Sequence, residues 1–374
     1  MINGIQIRAD HCGGNIRLVH EEEGRVYVTQ DLRQSGKWWF YWNFHVHALE
    51  DKEVEFVFTD GDVIGPWGPA VSRDGIEWHW LNATEGSTRH TFRYQFQQGD
   101  RMFFSFSFPY QVHHFERFYT RIHTMHSRYV RREVLALSEQ MRAIPVVLVG
   151  NPDADKHIVF TARHHACEST VSYLLEGLLD DWLQRQSALL DEYVIHYIPF
   201  IDMDGVENGD QGKFRLPHDH NRDYISQPLY RVTQAFIPYI KKIKPIVGVD
   251  FHGPFKWGGR NDHPFILQVP PPHDKHVEHF SDCLRRVNEA GTCPIEYDPN
   301  NNIQWGVDWN QSWGSTCSEF WVNQGVELAF TFEFPYCGSS SAAFTPEHCR
   351  SFGSDFGRAL GMYVAPKGGQ LKPY

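Results

Sequence analysis

The chain has little of what would place it in a membrane, outside the cell or on nucleic acid. No apolar run in its 374 residues reaches the ~18 needed for a membrane span. Residues 1–10, MINGIQIRAD, lack the basic and apolar regions of a secretion signal. Basic residues are outnumbered, 35 Lys and Arg against 46 Asp and Glu. The formal charge of −11 argues against nucleic acid or an anionic membrane as a general partner. The seven cysteines are odd in number and contain no Cys-x-x-Cys pair, which excludes a disulfide framework and a cysteine-rich zinc ribbon. Reduced thiols in a cytoplasmic protein fit best. There is no internal repeat and no low-complexity segment.

What is present is core-forming material: 41% hydrophobic and 15% aromatic residues, in a chain long enough for two domains. Residues 1–111 read as an antiparallel β-sandwich. Alternating aromatic and β-branched runs at 24–30, 38–46, 53–58, 90–96 and 102–108 are separated by turn signals such as Asp60-Gly61 and Asp74-Gly75. From residue 112 to 374 strands and helices alternate, giving an α/β domain with a largely parallel or mixed sheet. Helices are expected over 112–124, 169–190, 228–243 (with Pro228 in its first turn) and 276–290. Strands are expected near 144–150, 157–161, 193–201, 246–250 and 326–332.

Ligands of such sheets bind beyond the carboxyl ends of the strands. His165 and Glu168 follow one predicted strand, His252 follows another, and Glu333 ends a third. An imidazole and a carboxylate at i and i+3 can share one face of a helical turn and point at a single ion. Neutral His and ionised Glu suit Zn²⁺, and His252 as a third ligand leaves a fourth position open for water. The rivals are His164 with Cys167, His276 with His279, and His218 and His220 around Asp219. A lone strand-end histidine is ordinarily structural, and His276 with His279 suits a solvated helix face. None of the rivals has a second strand-end partner so well placed.

Five motifs then occur in order: TARHHACEST (161–170), PFIDMDGVENG (199–209), DHNR (219–222), DFHG (250–253) and TFEF (331–334). Together they resemble the zinc metallocarboxypeptidases, and most of all the cytosolic carboxypeptidase branch, which also has an N-terminal β-domain. The segment FSFPY (106–110) adds to the likeness.

The resemblance implies an α/β/α catalytic domain, one Zn²⁺ held by His165, Glu168 and His252, and hydrolysis at the C-terminus of a peptide or protein. It gives Asp219 the task of orienting His165, and Arg215 that of polarising the scissile carbonyl. Asn221 and Arg222 would hold the substrate's terminal carboxylate, and Glu333 would be the general base. Lys256 and Arg260 could line a pocket for an acidic C-terminal residue. Two departures stand out. The family's Asn-Pro-Asp-Gly is Asp202-Met-Asp-Gly here, and the tyrosine over the substrate has only Tyr297 and Tyr336 as candidates. The alternatives are a zinc-dependent N-acyl amino-acid amidohydrolase and a module that binds C-termini without cleaving them.

Overall fold

The computed structural model describes residues 4–365, apart from 23, 83–87, 186, 313 and 340. Nine strands form first: β1 (Ile5–Arg8), β2 (Arg17–Glu22), β3 (Arg25–Thr29), β4 (Asn43–Ala48), β5 (Lys52–Phe58), β6 (Ala70–Ser72), β7 (His79–Trp80), β8 (Thr91–Phe96) and β9 (Arg101–Ser105). They make one sheet in the order β1-β4-β9-β6-β7 and a second in the order β2-β3-β5-β8. Period-two alternation drives the pairing. Val54, Phe56 and Phe58 of β5 are buried, with less buried residues between them. Phe44 and Phe104 of the first sheet meet Phe56 and Phe92 of the second, with centroids 5.3–5.7 Å apart.

Two expectations for this region need correcting. The β3/β5 pair is parallel, because the chain between them crosses to the other sheet as β4 and returns. Residues 38–42, expected to be strand, are irregular. The Gln211 side chain pairs with the Tyr41 backbone instead, accepting from Tyr41 N–H and donating to Tyr41 C=O, both at 2.8 Å. Gln30 Nε2 donates to Trp39 C=O at 3.1 Å.

After α1 (Val112–Met125) come β10 (Val130–Leu137), β11 (Ala143–Gly150), β12 (Lys156–Ala162), α2 (Thr170–Arg185), α3 (Ser187–Glu192), β13 (Tyr193–Ile198) and α4 (Met203–Asn208). Then follow α5 (Arg231–Ile243), β14 (Val247–His252), β15 (Phe265–Leu267), α6 (Asp274–Ala290), α7 (Cys317–Asn323), β16 (Leu328–Glu333) and α8 (Pro346–Val364). The sheet runs β10-β11-β13-β12-β14-β16-β15. Its four inner strands are parallel, and β10, β11 and β15 add antiparallel edges. On one face Phe251, Phe330 and Phe332 meet Phe280 of α6 and Phe356 of α8. On the other, Gly248 lies directly under Trp321 of α7. This is the expected three-layer α/β/α arrangement.

The helix expected over 169–190 is described as two, α2 and α3. Pro228 precedes α5 rather than opening it, since Asp223 accepts from Leu229 and Tyr230 N–H (2.7 and 2.9 Å) and holds that stretch as a turn. Strand β10 and helix α8 were not anticipated.

Candidate metal centre and active site

The parallel strands deliver their terminal residues to one sheet edge. In register, His252 on β14 is the neighbour of Glu333 on β16, and two residues earlier Asp250 is the neighbour of Thr331. All four side chains point to the α7 face. His165 and Glu168 lie in the connection between β12 and α2, not on a helical turn as expected. A tight turn joins them, Glu168 N–H donating to His165 C=O at 3.2 Å. That turn is braced by Arg163, which is buried, donates to Tyr110 C=O at 2.7 Å and pins Ala166 C=O.

Three donors converge there. His165 Nδ1 lies 2.7 Å from Glu168 Oε1, His252 Nδ1 2.8 Å from Glu168 Oε2, and the two Nδ1 atoms 3.1 Å apart. Ligands at about 2.0–2.1 Å from a tetrahedral ion would stand roughly 3.3 Å from one another, so the trio fits zinc with little movement. All three residues are buried. Burial pushes the Glu168 carboxyl up, but the two imidazoles outweigh it and hold it well below the carboxylate range.

Carboxylates orient both rings from behind. Asp219 Oδ1 lies 3.2 Å from His165 Nε2, the neighbour that the resemblance implies for it, and Asp250 Oδ2 lies 2.8 Å from His252 Nε2. The role of Asp250 was missed, although the signal was available: it sits two residues before His252 on the same strand face. His164 joins this outer layer and faces away from the cleft, its Nδ1 2.9 Å from Asp250 and its Nε2 2.8 Å from Tyr224 OH. Cys167 is buried, with its thiol pushed up to about 12, so the thiolate needed for a zinc ligand is disfavoured. His276 is bound to Tyr363 OH at 2.8 Å, and His218 to Arg222 C=O at 2.8 Å.

The donors open into a cleft of about 550 Å³, which Asn221, Arg222 and Glu333 also line. Glu333 is buried and its Oε2 has no protein partner among the described residues. Burial, opposed by His252 and reinforced by Glu168, pushes its carboxyl up to about 7. Asn221 lies 3.0 Å from His252 Nε2 and accepts from Cys317 N–H at 2.9 Å.

Three expected residues stand elsewhere. Arg215 is outside this cleft, its guanidinium donating to Asp202 and Asp210 at 2.9 Å each, both carboxylates being buried. The cation that lines the cleft from the same loop is Lys213, with Nζ 3.5 Å from His165 Nε2. Gly212 lets that loop approach. Its φ is +81°, and a Cβ there would stand 2.0 Å from Ala166 N. Lys256 donates to Asp62 C=O at 3.1 Å across the rings of Trp38 and Phe255, and Arg260 pairs with Asp308 at 3.1 Å on the surface. Neither lines the cleft. Tyr297 is bonded to Ser281 at 2.7 Å in the core, and Tyr336 is buried behind Gly253. The aromatic cleft wall is instead Trp39, Phe214, Phe255, Trp305 and Trp309.

Two imidazoles and a carboxylate at the carboxyl edge of an α/β/α sheet, with a fourth side open to a cleft, define a mononuclear metal site of the hydrolytic type. The chain belongs to the zinc carboxypeptidase family (Peptidase_M14), whose model matches residues 115–324. It is 22% identical to cytosolic carboxypeptidase 3 of Bos taurus over 325 residues, 79% of this chain and 31% of that protein. To cytosolic carboxypeptidase 1 of Xenopus laevis it is 26% identical over 180 residues, 41% of this chain and 15% of that one. The chain therefore spans less than a third of these curated relatives. Among solved structures, the metallo-carboxypeptidase of Burkholderia cenocepacia superposes with a TM-score of 0.79 at 15% identity, covering 96% of this chain and 99% of that one. That of Pseudomonas aeruginosa, in complex with (2-guanidinoethylmercapto)succinic acid, gives 0.77 at 19% identity with the same coverage. These likenesses establish a shared fold along nearly the whole chain.

Proposed function

We propose that this protein hydrolyses the C-terminal peptide bond of peptides or proteins, as a zinc carboxypeptidase working in the cytoplasm. The observation that carries the reading is a single cleft holding three convergent metal donors, a buried carboxyl oxygen without a partner among the described residues, and two cations.

His165, Glu168 and His252 would hold a zinc ion, which would supply Lewis acidity to the attacking water. Glu333 is the general base. Its Oε2 takes a proton from the attacking water, and the same carboxyl returns it to the leaving amine, so that acid and amine products are neutral in proton count. Lys213 takes the part that the resemblance gives to Arg215, opposing the negative charge that develops on the carbonyl oxygen. Such a contact is worth about 3 kcal/mol of barrier. Arg222 binds the terminal carboxylate through its planar guanidinium, and Asn221, which accepts from Cys317 N–H, fixes that end of the cleft. Asp219 and Asp250 keep the proton on the outer nitrogen of each ligand ring, leaving both Nδ1 atoms free for metal.

A library of peptides varied at the C-terminus, read by mass spectrometry with and without a zinc chelator, tests this. Loss of a single C-terminal residue that stops on chelation is the expected result. A fully zinc-loaded protein that trims nothing in the library, yet deacylates N-acyl amino acids, would move the assignment to an amidohydrolase.

A further inference from the structure

We infer that His164 is a positioning residue for the metal site: through Asp250 it holds the His252 ring and the turn of His165 and Glu168 in one register. The inference rests on the zinc reading of the site and is independent of the substrate. His164 and His165 are adjacent in the chain but serve opposite sides. His165 turns its Nδ1 to the other donors, whereas His164 passes behind His252, the two rings nearly parallel with centroids 5.5 Å apart and 18° between planes. His164 and Asp250 are both fully buried.

Asp250 decides where the protons stand. Its Oδ1 accepts from Thr161 Oγ1 at 2.7 Å and lies 2.9 Å from His164 Nδ1, while its Oδ2 lies 2.8 Å from His252 Nε2. A carboxylate only accepts, so each ring nitrogen turned to it carries a proton. The Asn221 amide, 3.0 Å from His252 Nε2, is neutral and does not outweigh it. His252 Nδ1 is left bare for a metal, and His164 Nε2 becomes an acceptor that Tyr224 OH meets at 2.8 Å. The other tautomer of His164 would set a lone pair against a buried charge.

Of the three partners of Asp250, only His164 belongs to the connection that carries His165 and Glu168. Thr161 is on β12 and His252 on β14. The carboxylate is thus a bridge, one oxygen to the third ligand and the other to the turn bearing the first two. The His164 contact is short but off the straight N–H···O line, and Nδ1 has no other partner among the described residues. Its strength is the attraction of an N–H dipole to a charge in a low-dielectric interior. Without it Asp250 can turn about its side chain, and the His252 ring with it.

Two amide variants separate this role from packing. The amide nitrogen of Asn falls near the place of His Nδ1, and that of Gln near Nε2. His164→Asn therefore keeps the contact with Asp250, and His164→Gln keeps only the one with Tyr224. Zinc affinities are measured by competition with a chromophoric chelator. We expect His164→Asn to stay within about threefold of the unaltered protein and His164→Gln to bind about tenfold more weakly or worse. An Asn variant no tighter than the Gln variant, or a Gln variant that binds like the unaltered protein, overturns the inference. Nitrogen NMR of the unaltered protein with ¹⁵N-labelled histidine reads the tautomers without requiring any variant to fold. A His164 proton on Nδ1 supports the assignment, and one on Nε2 refutes it. A protein that takes up no zinc would sink the metal reading instead, and the tautomers of the ion-free protein then decide the contact.

Discussion

Lys213 and Arg215 are two residues apart on one loop, yet they do different work. Arg215 neutralises Asp202 and Asp210. Burial raises both carboxyls, that of Asp210 to about 6, against the pull of Arg215. Removing the guanidinium leaves Asp202 without its cation and Asp210 with only Arg33 at 3.9 Å, so Arg215→Met should cost about 3 kcal/mol of unfolding free energy in urea titrations. Lys213→Met should leave that value within about 0.5 kcal/mol and lower kcat/KM about a hundredfold. The opposite pattern would return the catalytic cation to Arg215. Glu333→Gln should retain one zinc per chain by atomic absorption while turnover falls at least a thousandfold, and retained turnover would remove Glu333 as the base.

The sequence could not separate these two cations. The metal ligands were legible because His252 ends a periodic strand and His165 and Glu168 follow another within a few residues, and the end of such a strand has a predictable place on the sheet. The stretch 209–219 has no period. What tells the two cations apart is the burial of Asp202 and Asp210 against one of them, a tertiary fact. The same limit hid the placement of Lys256 and Arg260, whose partners lie on distant turns.

At the scale of elements, the metal loop depends on where α2 sits, and α2 is set by its crossing with α8. The contact is made through glycines. A Cβ on Gly177 would stand 1.9 Å from Arg350 O, and one on Gly353 would stand 1.9 Å from Leu174 O. Backbone cannot give way as a side chain can. Gly353→Ala should therefore force the helices apart and lower stability by about 2–3 kcal/mol, read from the urea midpoint. A midpoint shift below about 0.5 kcal/mol would mean that the crossing is looser than described. In sequence, α2 was plain from its apolar stripe of Val171, Leu174, Leu175 and Leu178. Helix α8 was not, because its glycines lower helix propensity where they permit packing. The run 38–42 misled in the opposite way. Its alternating aromatics look like a strand, but a side-chain amide meets its backbone.

Across the whole molecule, several buried histidines are held neutral. Burial lowers His114 and His196 to about 3, and His196 is bonded to His157 at 2.9 Å and to Tyr239 OH at 2.5 Å. An unfolded histidine titrates near 6.5, so below that pH the unfolded chain takes up protons that the folded rings refuse. Stability from each ring is full above pH 6.5 and is lost as pH falls toward 3, about 2 kcal/mol by pH 5. The stability gap between the unaltered protein and His196→Gln should narrow by about that amount from pH 7 to pH 5. A gap independent of pH would refute neutral burial.

The division at residue 111, sensible from composition, falls in a buried stretch. Ser107 donates to Tyr336 C=O at 2.6 Å, Ser169 to Phe108 C=O at 2.7 Å and Tyr173 to Pro109 C=O at 2.7 Å. Trp39, before that division, is a wall of the cleft, and Gln211, after it, completes the backbone pairing of Tyr41. The consequence concerns descent. A sandwich joined to its neighbour in this way cannot be exchanged among lineages like a detachable module. A foreign first domain would arrive without the partners of residues 205–217, and the loop bearing Lys213 would lose its anchor. The two halves must be inherited together, and substitutions at Tyr41, Gln211 and their contacts should change in company across descendants of this chain.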